Sequence, residues 1–178
     1  GLLAVNHEYF DYRLLQPDGA KWTAQQRVRK AQAAVGVSIV EVQLPKGQWQ
    51  VLRPSRFARR IHANTPVLFS GPAAGHPSMR TRQHPDGRTG LGTTGNCARG
   101  FTPWGTYLSC AEGCYAFFKP RAKPSMDEHR IGYGRGELYG WSAGDPRFGA
   151  DRDPNEANHF DWVVEIDPFE PDSKPVKR

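Results

Sequence analysis

The sequence predicts an all-β chain of antiparallel strands with long loops and one short helix. Three observations carry this expectation. Gly contributes 19 and Pro 15 of the 178 residues, which demands many turns. Apolar residues recur in short runs bounded by those turn residues. Only one segment has the composition and caps of a helix.

Gly1 to Val5 reads as a buried strand that delivers Asn6-His7-Glu8 at its end. Pro17-Asp18-Gly19 is a turn. Thr23-Ala24-Gln25-Gln26 has the form of a capping box, so a helix runs from Ala24 to Val35 and stops at Gly36. Ser38 to Leu44 alternates, with Val40, Val42 and Leu44 on one face and Glu41 and Gln43 on the other. Pro45-Lys46-Gly47 turns it into a hairpin partner at Trp49 to Leu52. Val67 to Phe69 is a further strand, and residues 71–92 read as loop. Trp104 to Cys110 includes a strand, with Ala116 to Phe118 as its partner. Arg130 to Tyr133 and Glu137 to Tyr139 are weaker strand candidates, and Phe160 to Ile166 is the strongest late one. Strand spacing alone leaves a sandwich, a barrel and a propeller piece open.

Bulk properties exclude several classes. No apolar run is long enough for a transmembrane helix, and no signal peptide is visible. The net charge of +6 is split: residues 1–150 hold 20 Lys and Arg against 10 Asp and Glu, and the remainder 4 against 8. A basic surface attracts anions such as phosphate esters, yet most of these charges read as a solvated surface. No nucleic-acid motif accompanies them. The chain opens on Gly1 and stops after Lys174 to Arg178 without a closing element, so residues 1–178 read as a single, incomplete domain cut from a larger protein. GxxxxGK[ST], GxGxxG and G-x-S-x-G are all missing.

The chemistry concentrates in Gly92 to Glu112, where a Gly-rich loop runs into an apolar strand. Such a loop lets backbone approach a ligand closely. Four segments end an apolar strand or leave a tight loop with a ligand-type residue: Asn6-His7-Glu8, Asn96-Cys97, Cys110-Ala111-Glu112 and Glu165-Ile166-Asp167. Carboxylates suit calcium and ferric iron, and a thiolate suits a transition metal. Each segment alone is also an ordinary strand end. Three cysteines make no disulfide framework. Cys97-x12-Cys110-x3-Cys114 with His84 or His129 is a competing zinc reading, although structural zinc sites show two tight ligand pairs and this has one. Arg59-Arg60 reads equally as a phosphate clamp and as a structural pair.

These motifs together resemble the PhoX-type alkaline phosphatases, bacterial metal-dependent phosphomonoesterases. The resemblance rests on Val5-Asn6-His7-Glu8, Ala31 to Val42, Arg59-Arg60-Ile61, Thr65-Pro66, Ser70 to Gly75, Asn96-Cys97-Ala98, Thr102-Pro103-Trp104-Gly105-Thr106, Asp145-Pro146-Arg147-Phe148 and Phe160 to Pro168. It implies a partial β-propeller, a phosphate-ester substrate, a cluster of calcium and iron ions, and export to the periplasm or beyond. It makes Cys97 the iron thiolate ligand, with Glu8, Glu112 and Glu165 as carboxylate ligands. Arg99, Asp161 and Ala111 depart from the family pattern, and at Ala111 a carboxylate is lost. A non-catalytic binding module that has lost part of the cluster is the alternative.

Overall fold

The computed structural model describes residues 1–130, 132, 133 and 136–178. Strand β1 (Leu2–His7) leads through the short helix α1 (Tyr12–Leu15) to helix α2 (Ala24–Ala34) and then to β2 (Gly36–Gln43). β2 pairs antiparallel with β1, with β3 (Gln50–Val51) and with β4 (Arg59–Ile61), which completes a four-stranded sheet. A second sheet holds β5 (Pro66–Phe69), β6 (Thr89–Leu91), β7 (Asn96–Phe101) and β8 (Tyr107–Ala111). After helix α3 (Met126–Arg130) the chain adds β9 (Val163–Ile166) and β10 (Val176–Lys177) to it. The six strands lie in the order β6-β5-β10-β9-β8-β7. Pairings between these strands are antiparallel except β5 with β10. Among the described residues no helix is long and apolar enough to cross a membrane.

The α2 caps form as the sequence dictates. Gln26 N donates to Thr23 Oγ1 at 3.2 Å while Thr23 N donates to Gln26 Oε1 at 2.9 Å. Gly36 then leaves the helix at φ +108°, and a Cβ there would stand 2.1 Å from the Ile61 carbonyl oxygen. Two cores follow from the layering. Val37, Ile39 and Ile61 of the first sheet meet Tyr107, Val164 and Ile166 of the second. The other core joins Val28, Ala31 and Val35 to an aromatic group that includes Phe117, Phe118, Trp141, Phe148 and Phe160.

Several expectations are corrected. β2 buries Val37 and Ile39, whereas Leu44 is exposed. Apolar residues occupy both parities of Val37-Ser38-Ile39-Val40, so contact with the second sheet decides the face. Ala116 to Phe118 is no strand. Gly113 turns the chain left-handed into a 3₁₀ turn at Cys114–Ala116, and both phenylalanines enter the aromatic core. Thr89–Leu91 lies inside the expected loop yet forms an edge strand. Lys174 to Arg178 contains β10, inserted between β5 and β9. Glu137 to Tyr139 is irregular, and the strand expected at Arg130 to Tyr133 falls partly outside the described residues.

Candidate metal centre

The site forms where the end of β1 meets the start of β7 and the end of β8. Ligand atoms of Glu8, Cys97 and Glu112 all lie within 4.8 Å of one another. Glu8 follows β1 directly, Cys97 is the second residue of β7, and Glu112 follows β8 directly. Strand ends suit this task because the ladder fixes the backbone while the side chain clears the sheet.

Two local features aim the side chains. In the β7–β8 register Asn96 pairs with Ala111 and Arg99 with Ser109, so Cys97 and Ala98 together oppose Cys110. This is a β-bulge, which bends a strand and re-aims its side chains. The Cys97 thiol donates to the Cys110 carbonyl at 3.8 Å. Gly95, just before the bulge, lies at φ +59°, and its absent Cβ would stand 2.1 Å from the Glu112 carbonyl oxygen. Glu112 N donates to the Gly95 carbonyl at 3.1 Å. The missing side chain therefore brings the Glu112 backbone against the Cys97 loop.

Among the described residues neither Glu8 nor Glu112 takes part in a salt bridge. Loss of hydration, then the charges of Glu112 and Glu8, push the Cys97 thiol above its ordinary pKa. Two carboxylates and a thiol in such proximity fit a cation. Oxygen donors suit calcium and iron, and the sulfur suits iron.

Glu165 does not join this group. It is buried, and its Oε1 accepts from Trp104 Nε1 at 2.9 Å and Thr106 Oγ1 at 2.7 Å. Arg178 Nε donates to its Oε2 at 2.6 Å. Those hydrogen bonds hold its carboxyl below the usual range. Ala111 is buried on the same strand face as Tyr107 and Ser109, while Glu112 reaches the thiol. The lost carboxylate at 111 thus leaves the triad intact. The zinc alternative fails, because Cys97, Cys110 and Cys114 form no ligand group among the described residues.

Arg59 and Arg60 are structural. Arg59 donates to the carbonyls of Asp167, Pro171 and Ser173 at 2.7–2.8 Å. Arg60 donates to the Ala33, Ala34 and Val35 carbonyls at the end of α2 and to Ser38 Oγ. His7 bonds Ser38 Oγ at 2.9 Å.

A buried charge network was not expected from the sequence. Arg147 donates to Glu156 Oε1 at 2.9 Å, Asn64 Oδ1 at 2.8 Å and the Ala63 carbonyl at 2.9 Å. Lys177 donates to the His159 carbonyl and packs over Phe69 and Phe160. Burial raises Glu156 to about 7, lowers Lys177 to about 7 and lowers His159 to about 4. Arg147, within Asp145-Pro146-Arg147-Phe148, carried the one available signal.

Comparison with known proteins assigns the chain to a family. A search of curated proteins finds no match. PhoX of Pseudomonas fluorescens, solved in complex with vanadate, a transition state analogue, superposes with a TM-score of 0.90 at 48% identity. The match covers 99% of this chain and 31% of that one, so the chain spans about a third of its relative. The profile of the family described as alkaline phosphatase PhoX matches residues 1–178. The chain belongs to the PhoX alkaline phosphatase family.

Proposed function

We propose that the intact protein hydrolyses phosphomonoesters, and that Glu8, Cys97 and Glu112 hold part of a calcium- and iron-containing centre. The observation that carries this reading is the approach of three ligand atoms to within 4.8 Å from three separate places in the chain. Vanadate bound to the Pseudomonas fluorescens relative supports phosphoryl chemistry, since vanadate copies the geometry of a phosphoryl group in transfer. When bound, such ions supply charge stabilisation at phosphate oxygens. Glu8 and Glu112 bring the negative charge that retains hard cations, and Cys97 brings a soft donor that favours iron. The bulge re-aims Cys97, and Gly95 lets the Glu112 backbone approach it. Glu165 is left out of this ligand set because Trp104, Thr106 and Arg178 occupy its carboxylate. The family resemblance further supports export to the periplasm or beyond, and a propeller to which these sheets contribute.

The test is hydrolysis of p-nitrophenyl phosphate at alkaline pH by the intact protein. A calcium chelator is expected to abolish activity. Cys97→Ala should cost at least ~100-fold in kcat, the scale of losing a charge-stabilising element. Cys114→Ala should be nearly neutral, because that thiol is buried in the aromatic core and burial holds it protonated. Equal losses from the two substitutions, or chelator-resistant turnover, refute the assignment.

A further inference from the structure

Asn6 of β1 bonds through its side chain to the Cys97 bulge, and its amide makes four hydrogen bonds, two to the bulge and two to β8. Its Oδ1 accepts from Tyr107 Oη at 2.9 Å and Ser109 Oγ at 3.0 Å. Its Nδ2 donates to the carbonyls of Cys97 at 3.0 Å and Ala98 at 3.3 Å. Carbonyls only accept, so this pattern fixes which way the amide points. Cys97 and Ala98 are the two bulged residues, where the β7–β8 ladder is interrupted. Asn6 supplies a donor for both of their carbonyls. The chain of bonds continues beneath the site. Ser109 Oγ accepts from Asn96 Nδ2 at 2.8 Å, and Asn96 Oδ1 accepts from Thr93 Oγ1 at 3.0 Å. Asn96, Thr93 and Ser109 are fully buried, where a satisfied network is rigid and a broken one is costly.

We propose that Asn6 is a positioning residue that fastens the Cys97 bulge to the end of β1 and so presets the distance between the Cys97 thiol and the Glu8 carboxylate. Asn6 and Glu8 are two residues apart, so one short segment carries both the clamp and a ligand. His7 between them turns away to Ser38. The inference rests on the metal reading given under Proposed function. Outer partners of this kind orient ligands that the metal alone would not organise.

The experiment uses Co²⁺ as probe on the intact protein after its own metals are removed. Co²⁺ binding is followed by the thiolate-to-cobalt charge-transfer absorption, with Cys97→Ser as the reference that removes it. Asn6→Asp keeps the size and both acceptor bonds but has no N–H for the bulge carbonyls. It is expected to weaken Co²⁺ binding by about ten- to a hundredfold and to diminish the band. Asn6→Ser provides the uncharged second variant, with the same expected loss. Val28→Ala, in the aromatic core on α2, should lower the melting temperature and leave the band unmoved. The proposal is overturned if the Asn6 variants bind Co²⁺ like the parent, or if they lose no more affinity than Val28→Ala at a matched melting temperature. A parent protein with no Cys97-dependent band sinks the metal reading itself, and the role of Asn6 falls with it.

Discussion

Gly95→Ala is the sharpest perturbation of the candidate site that replaces no ligand. Gly95 sits at φ +59°, and the new Cβ would stand 2.1 Å from the Glu112 carbonyl oxygen. A side chain in the left-handed region costs about 1–2 kcal/mol. Contact this short is not tolerated, so the Glu112 backbone must retreat by about 1 Å, an overpacking cost of roughly 1–3 kcal/mol. The expected loss of stability is therefore about 2–5 kcal/mol. The functional loss follows from the same displacement, because metal–ligand distances are held to about 0.2 Å. Gly105→Ala is the matched control. Gly105 has φ +92° with open space around it, so the substitution strains the backbone without a clash. Urea unfolding gives the stability change, and metal content with phosphatase kcat gives the site change. Gly95→Ala should lose metal and activity well beyond Gly105→Ala. A Gly95→Ala protein with unaltered metal content and kcat would refute the claim that this glycine brings Glu112 to Cys97.

Two further outcomes separate structure from chemistry elsewhere in the chain. Arg60→Met removes charged hydrogen bonds to the last carbonyls of α2 and should cost about 2–3 kcal/mol in urea unfolding while leaving KM unchanged; a raised KM at unaltered stability would restore the phosphate-clamp reading. His159→Phe should remove an acid-sensitive component of stability. The folded His159 holds off protonation until about pH 4, whereas the unfolded residue takes up a proton from 6.5, so stability falls on acidification across that window by up to ~1.4 kcal/mol per pH unit. Glu156, raised to about 7, acts in the opposite sense, and because its Oε2 lies 3.9 Å from His159 Nδ1 the comparison reads the two groups together. Identical pH dependence of the two proteins between pH 4 and 6.5 would contradict this.

The candidate ligands were legible because each stands at a strand end inside a short motif, and both features survive in one dimension. Asn6-His7-Glu8 and Asn96-Cys97 could be singled out without knowing what they face. Glu165 could not be judged in the same way. It stands between Val164 and Ile166, on the face opposite those apolar residues where a carboxylate is ordinarily exposed, yet Trp104 and Thr106 of the β7–β8 hairpin and Arg178 after β10 enclose it. Each of those partners is more than ten residues away in the chain. The helix was equally legible, since its capping box is written within four residues. The Asn-Cys-Ala-Arg-Gly-Phe of β7 has little strand propensity and reads as loop, and its pairing with β8 alone makes it a strand.

What stayed hidden is the support rather than the ligands, and the reason is physical. A residue that positions another is defined by its partners, and those partners converge only in the folded sheet pair. Ser109 illustrates this. It lies on the inward face of β8 between Tyr107 and Ala111, where a small hydroxyl among core residues is a faint sign of a buried polar contact. That sign names no partner. The partners are Asn6 from β1 and Asn96 from β7, which lie in different sheets. Lys177 gives the same lesson with opposite charge logic. A lysine in the last residues of the chain reads as solvated, yet β10 inserts between β5 and β9 and buries it over Phe69 and Phe160. Parallel pairing of β5 with β10 joins residues more than a hundred positions apart, the kind of contact that carries no local pattern. The candidate ligands are thus marked in the chain, while the geometry that gathers them is a property of how the two sheets close on each other.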